Sequence, residues 1–353
     1  MTNSSATHPT CSIVPPYLLA RLAADPSRAT AAAAARRTLT AIGSVEAARS
    51  VPHQVPSRPA GTAFAPSLRR SISDALGLEE LPGTVVRSEG QPPTGDPAVD
   101  ETYDGLGATY RLFSDAYGRS SLDGAGRALD ATVHYGHNYD NAFWDGSRMV
   151  LGDGDGEVFQ RFSKSLTVIG HELTHGLIQY TAQLTYRDQA GALNESVADV
   201  FGVLVEQKLL GQDTAQASWL VGEGLFTAQV GGTALRSLKA PGTAYDDDVL
   251  GKDPQPDSMD GYVSTTADNG GVHVNSGIPN RAFYLVAAAL GGYAWERAGQ
   301  IWYDTITERN FPADATFAVF GAATLTAAEK RYGAGSEETS AVQAAWKEVN
   351  VMV

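Results

Sequence analysis

The sequence predicts an α+β protein of two lobes, strand-rich on its N-terminal side and helical on its C-terminal side. Strand-like alternation ends near Leu151, and helix-period patterns dominate from Ile278 onward. Between them, His171-Glu172-Leu173-Thr174-His175 lies in a strongly periodic helical stretch at the junction of the two halves. A site between lobes is a natural cleft.

A chain of 353 residues can bury one large core or two medium ones. Its 43% hydrophobic and 19% charged residues are ordinary for a soluble globular protein. A net charge of −14 argues against wholesale binding to nucleic acid or an anionic membrane. No run approaches the roughly 18 apolar residues of a membrane span. Cys11 is the one cysteine, so no intrachain disulfide can form. Met1 to Thr10 has neither a basic nor an apolar signal region, so the expectation is a cytoplasmic protein, or one secreted without a recognisable signal peptide.

Taken in order, residues 1–55 read as a separate segment. Ile13 to Leu19 is a small apolar anchor whose prolines, Pro15 and Pro16, hold an extended approach. Asp25 to Thr40 is an alanine-rich helix, and Val51 to Pro66 has the proline-rich composition of a linker and a cleavage zone. Residues 87–97 form a second loose stretch. Ala108 to Tyr117 is a short helix, and 131–135, 141–144 and 147–151 are strand-like. Gly152 to Gly156 invites a calcium loop, but counting from Asp153 puts Val158 where an EF-hand requires glycine, which leaves a tight turn. Helices follow at 163–180 and 193–210. After a Gly/Asp/Pro-rich connection over 240–277 come helices at 278–290, 294–309, 314–332 and 336–349, with Asp314 and Ser336 as caps of the last two.

Two histidines four apart on a helix project from one face, so both imidazoles can meet one metal ion. Leu166, Ile169, Leu173 and Leu177 fall nearly opposite and can anchor the helix in a core. Zn²⁺ is the usual occupant of such a pair, and Glu172 lies about a quarter-turn away, able to address a bound water without ligating. The pattern arises by chance in about one such chain in a hundred, and its bland reading is two ordinary helix histidines. Zinc needs a third ligand, and Glu195 could reach back from the next helix if the two helices form a hairpin. Asp199, one turn further, is placed to accept the free ring N–H of a ligating histidine. The bland alternative for both is a solvated acidic face, but Ala192, Val197, Ala198, Val200 and Phe201 surround them, and buried carboxylates need partners.

His-Glu-Leu-Thr-His, followed after nineteen residues by Glu195 in Asn-Glu-Ser-Val-Ala-Asp, resembles the thermolysin-like zinc metalloendopeptidases. The resemblance extends through Asn141 to Gly156 and Asp268 to Gly277, and covers most of residues 98–353. Pro-Pro-Tyr-Leu-Leu resembles the short prosegment of the protealysin branch. The resemblance implies the two-lobed thermolysin-like fold and a zymogen cleaving before hydrophobic residues by attack of a zinc-bound water. Zn²⁺ would be held by His171, His175 and Glu195, with Glu172 as general base. It implies His273 and Tyr186 as oxyanion donors, with Asp268 orienting His273. Asn141 and the Ala142 backbone would anchor substrate, Arg236 would clamp a carbonyl, and Phe159, Phe162, Val168 and Leu235 would line an apolar pocket.

Departures from the family pattern matter. Its double calcium site draws on about five acidic groups, whereas the matching positions here are Thr167, Ser218 and Leu220, with only Glu206 and Glu223 kept. The double calcium site is therefore expected to be absent. The prosegment is expected to act as an intramolecular inhibitor by apolar wedging through Pro15, Pro16, Tyr17 and Leu18. A Cys11 thiolate on zinc is the less favoured alternative. Two rivals stand beside the endopeptidase: a binding protein that keeps the fold without hydrolysis, and a zinc aminopeptidase, whose Gly-x-Met-Glu-Asn element is missing from the chain. The expected organisation is prosegment 1–55, an N-terminal lobe 56–185 including the metal helix, and a C-terminal lobe 186–353. The expected state is a monomer acting on protein or peptide substrates.

Overall fold

The computed structural model describes residues 11–49 and 67–353. The expected linker at 51–66, and with it the boundary at residue 55, lies outside the described residues, as does the segment before Cys11. The chain opens with strand β1 (Cys11–Ser12) and helices α1 (Pro16–Ala23) and α2 (Ala29–Arg49). Strands β2 (Arg70–Asp74) and β3 (Thr84–Ser88) precede helix α3 (Pro97–Tyr117). Then come β4 (Leu129–Val133), β5 (Ala142–Trp144) and β6 (Met149–Leu151). Among the described residues the largest sheet has six strands in the order β1-β5-β6-β4-β2-β3. Its β1 edge comes from the N-terminal segment, antiparallel to β5 with Cys11 opposite Trp144 and Ser12 opposite Phe143.

The helical half begins with α4 (Leu166–Gln179) and α5 (Asp188–Leu210). It continues through the short strands β7 (Leu220–Val221) and β8 (Arg236–Ser237) and helices α6 (Asp268–Asn275), α7 (Gly277–Leu290), α8 (Ala298–Thr307), α9 (Phe317–Tyr332) and α10 (Glu337–Glu348). The result is an α+β layout, a sheet first and helices last. Among the described residues no helix is long and apolar enough to cross a membrane.

Several sequence expectations are corrected. The helix expected to begin at Ala108 starts eleven residues earlier at Pro97, where Asp96 accepts the Ala98 and Val99 amides. Gly105 and Gly107 lower helix propensity in its middle, but Gly105 is where α4 packs closest. A Cβ there would lie 2.5 Å from Ile169 Cδ1. Pro16 opens α1 instead of prolonging an extended run, because proline suits a first helical position. Helix α9 is capped by Thr316, which accepts the Val319 amide, and not by Asp314; Ser336 does cap α10. The 152–156 turn is held by Asp155, whose Oδ1 accepts the amides of Glu157, Val158 and Phe159.

Helix α2 lies over the outer face of the sheet. Its Ala41 packs in one cluster with Ala75, Tyr135, Tyr139, Phe143 and Val150, and its Thr38 hydroxyl accepts the Asp140 amide at 2.9 Å. Asp140 is fully buried there, and neither carboxylate oxygen has a hydrogen bond of normal geometry among the described residues. Burial, reinforced by Asp155, drives its pKa up to about 9, against the smaller opposing pull of the Asp155 amide and Arg37.

The site is set by the crossing of α4 and α5. A Cβ on Gly170 would lie 2.9 Å from Gly202 Cα, and one on Gly202 would lie 2.6 Å from the Thr167 carbonyl oxygen. Only glycine lets the two backbones meet this closely. We predict that Gly202→Ala lowers stability by about 1–3 kcal/mol through overpacking and weakens metal retention. Thermal melts with metal titration check this; an alanine variant that melts and binds like the parent would refute the crossing argument.

Candidate active site

Helix α4 presents His171 and His175 toward α5, which presents Glu195. The two Nε2 atoms lie 3.0 Å apart, and each is 3.5 Å from a Glu195 carboxylate oxygen. The outer ring nitrogens are held: His171 Nδ1 lies 2.8 Å from Asp199 Oδ1, and His175 Nδ1 lies 2.9 Å from Asn194 Oδ1. Asn194 donates its own NH₂ to the Leu184 carbonyl, which leaves its oxygen as the acceptor. Both imidazoles therefore carry their hydrogen on Nδ1 and direct bare Nε2 lone pairs at one point. Burial lowers both pKa values to about 4, so neither ring is charged at neutral pH.

Glu195 Oε2 and both oxygens of Glu172 are buried with no hydrogen bond of normal geometry among the described residues, the Trp144 backbone giving Glu172 only a weaker contact. Burial, with the Glu195 charge added, raises the Glu172 pKa well above the carboxylate range. Two neutral imidazoles and a carboxylate converging in a dry site leave lone pairs that a cation would satisfy. This N₂O set, with Glu172 beside it, fits Zn²⁺ with an open position.

Asp199 is the hub behind the ligands. Burial alone would raise its pKa, but Arg236 and His171 hold it below the ordinary carboxylate range. Arg236 grips it through two 2.8 Å bonds, and Asn280 Nδ2 donates at 2.9 Å. The third Arg236 nitrogen donates to the Ile13 carbonyl at 2.9 Å.

His273 enters from α6, whose kink runs through left-handed Asn269, Gly270 and Gly271. At Gly270 the turn demands glycine, since φ is 93° and a Cβ would strike Asp188. His273 Nδ1 lies 2.7 Å from Asp268 Oδ1, and its Nε2 lies 2.8 Å from the Ser12 carbonyl oxygen. Both neighbours only accept, so both ring nitrogens must carry hydrogen and the ring is an imidazolium. Burial would lower the pKa of His273, but Asp268 and Glu195 outweigh it and raise it to about 9. The Tyr186 hydroxyl donates to Glu195 Oε1 and lies 3.3 Å from His273 Nε2.

The main chain of residues 12–14 occupies the cleft. The Ile13 amide donates to the Ala142 carbonyl at 3.1 Å. Asn141 brackets Val14, its Oδ1 accepting the amide at 2.9 Å and its Nδ2 donating to the carbonyl at 3.2 Å. Phe159, Phe162, Val168 and Leu235 are buried in the same apolar cluster as Ile13. Backbone atoms of 12–14 thus hydrogen-bond to His273, Arg236 and Asn141, contacts that stand beside the expected side-chain wedge of Pro15 to Leu18. The Cys11 thiol, a His175 nitrogen and a Glu195 oxygen lie within 4.8 Å of one another. Sequence reasoning missed Asn194, Asn280 and the 12–14 backbone. Asn194 could have been found, as the neighbour of Glu195 in Asn-Glu; Asn280 carries no local signal.

Lone pairs wanting a cation, a free base beside them and a peptide laid across both are the requirements of a metal-dependent peptidase. Comparison with known proteins agrees. Residues 76–179 match the thermolysin metallopeptidase catalytic domain and residues 182–351 its alpha-helical domain. An extracellular metalloprotease of Pectobacterium carotovorum subsp. carotovorum is 50% identical over 98% of this chain and 97% of its own. Protease PrtS of Photorhabdus sp. (strain Az29) is 52% identical over 81% of this chain and 77% of its own. The solved precursor of protealysin, a metalloproteinase from Serratia proteamaculans, superposes with a TM-score of 0.86 at 49% identity, covering 97% of this chain and 99% of that one. The chain belongs to the thermolysin metallopeptidase family, whose members are zinc-dependent.

The imidazolium assignment can be tested directly. His273 should titrate near pH 9 by NMR in the intact chain, and Asp268→Asn, which removes the neighbouring negative charge, should move that titration to lower pH. A midpoint near the ordinary histidine value of about 6.5 in both proteins would overturn the assignment.

Proposed function

We propose that this chain is the zymogen of a zinc endopeptidase that cleaves on the N-terminal side of hydrophobic residues, with residues 1–55 as its inhibitory prosegment. The observation that carries this reading is the backbone of residues 12–14 lying across the converged ligands and the buried Glu172. The solved neighbour is itself described as a precursor, which supports the zymogen form.

His171, His175 and Glu195 would hold Zn²⁺, which when bound supplies Lewis-acid activation of water and of the peptide carbonyl. Glu172 takes the proton of the attacking water and delivers it to the leaving nitrogen. His273 donates to the developing oxyanion, joined by Tyr186 once its hydroxyl turns from Glu195. Asp268 keeps His273 charged and oriented. Asn141 and the Ala142 carbonyl hold the substrate backbone in register, and Arg236 holds the carbonyl after the scissile bond. Phe159, Phe162, Val168 and Leu235 offer the following side chain an apolar pocket, so Leu or Phe there should be favoured. Asp199 fixes His171 and Arg236 together.

Latency is assigned to the prosegment's main chain, which uses the same donors and acceptors a substrate would need. The relatives named extracellular support secretion. The proposed state is a monomer acting on proteins or peptides. We also propose that the family's double calcium site is absent. Thr167 Oγ1 accepts the Gly222 amide at 2.9 Å, while burial and Glu223 push the Glu206 pKa up to about 7. Two carboxylates, one of them half-protonated at neutral pH, make a poor Ca²⁺ site.

Removing the base separates chemistry from binding: Glu172→Gln should retain zinc by elemental analysis yet lose about 10²–10⁴ in kcat after the prosegment is removed. Substantial residual turnover would falsify the assignment of Glu172. A melting curve of zinc-loaded protein should not move when calcium is added or selectively chelated; a large calcium-specific shift would restore the missing site.

A further inference from the structure

Residues 11–14 cross the cleft in one direction, and on the peptidase reading that direction is the one a substrate takes. The group assigned to the attacked carbonyl, His273, lies on the Ser12 oxygen. The acceptor assigned to the next amide, the Ala142 carbonyl, takes the Ile13 N–H. The clamp on the next carbonyl, Arg236, takes the Ile13 oxygen, and Asn141 closes the series on Val14. The peptide between Ser12 and Ile13 therefore occupies the place of a scissile bond. Its neighbours do not. Cys11 and Ser12 are paired along β5, and the Val14 carbonyl is held by Asn141 ahead of Pro15, which has no N–H.

We propose that Ser12–Ile13 is a self-processing site, cut by the precursor within its own cleft and separate from any cut in the 51–66 stretch. The inference rests on the peptidase reading above. One water is consumed. Its oxygen adds to the Ser12 carbonyl carbon, Glu172 takes a proton from it, the C–N bond breaks, and that proton passes to the Ile13 nitrogen. The second hydrogen of the water follows to the same nitrogen, so the products are a Ser12 carboxylate and an Ile13 ammonium. Nothing is oxidised or reduced.

Two features make the cut slow and leave the protein latent. The Tyr186 hydroxyl is engaged by Glu195, so the Ser12 carbonyl has one side-chain donor where a substrate should have two. Loss of one such donor commonly costs about 10²–10³ in rate. After the cut, Ile13 stays docked, because Leu18, Leu19 and Leu22 of α1 and Ala31 and Ala35 of α2 belong to the main apolar core.

The test uses the full zinc-loaded chain, incubated at several protein concentrations and followed by intact mass and N-terminal sequencing. The expected product begins at Ile13, appears with a first-order rate independent of concentration, and is absent in Glu172→Gln. Hydrogen exchange on the metal-free chain supplies a readout independent of turnover: the Ile13 and Val14 amides should be protected. If the zinc-loaded chain, once its prosegment is removed by an added protease, hydrolyses a peptide while Ser12–Ile13 of the untreated full chain stays intact, self-processing is overturned and the peptidase reading stands. If the chain freed of its prosegment cuts no peptide, both fall. A rate that rises with concentration overturns the intramolecular route, and freely exchanging Ile13 and Val14 amides overturn the register itself.

Discussion

The constraint on which the site rests is the meeting of α4 and α5 at Gly170 and Gly202. Helix pairs usually keep their axes about 8–10 Å apart because side chains stand between them. Here the interposed side chains are missing at one point, and the Gly202 position sits almost on the Thr167 carbonyl. On α4 His171 directly follows Gly170 and His175 lies one turn beyond His171, and α5 brings Glu195 and Asp199 to meet them from the other side. The ligand geometry is thus a property of a backbone contact. The imidazoles and the carboxylate are carried on rigid elements, which fixes where their three lone pairs converge.

The same crossing buries charge, and the chain answers with a fully subscribed carboxylate. Burying an unpaired Asp would be expensive; Asp199 accepts from Arg236 twice and from Asn280, and its Oδ1 also meets His171 Nδ1. The arrangement joins His171 to the residue that reaches the cleft, since Arg236 also donates to Ile13. Fixing the tautomer of one histidine and aiming a guanidinium at a peptide carbonyl are therefore one structural act. Across the site, Asp268 plays a parallel part for His273, with the opposite electrostatic outcome. His171 is kept neutral by burial, and His273 is kept charged by a carboxylate on one side and a carbonyl on the other.

Much of this was legible in the sequence, for physical reasons. A four-residue spacing on a helix forces two side chains onto one face, so His171 and His175 could be paired without coordinates. Glu195 and Asp199 were legible once a helical hairpin was assumed. The expected α+β order also holds. The long reach of α3 was hidden because Gly105 and Gly107 look like helix breakers, and only the neighbour that packs against Gly105 explains its presence. Strand β2 was hidden because Arg70, Ser71, Ser73 and Asp74 are polar, and β3, at the sheet edge, because Val85 and Val86 are exposed, which erases the alternation a buried strand would show. Asn280 and the Ser12-Ile13-Val14 backbone contribute through long-range hydrogen bonds, and no local pattern encodes those. The apolar look of residues 13–19 suggested side-chain wedging, and beside it stand the amides and carbonyls of residues 12–14, which every residue possesses, and the Cys11 thiol.

Helix α2 carries a chemical asymmetry of its own. The Asp140 carboxyl beneath it holds its proton up to about pH 9 while covered, and an uncovered aspartate lets go near pH 4. Covering is therefore favoured fully below about pH 4, and that advantage fades as the pH climbs toward 9. Lifting the helix off the sheet at neutral pH must shed a hydrogen ion into the medium. Alkalinity outside the molecule thus pulls on the same joint that hydrophobic contact holds shut, and proton release recorded in two buffers of different ionisation enthalpy would measure how hard.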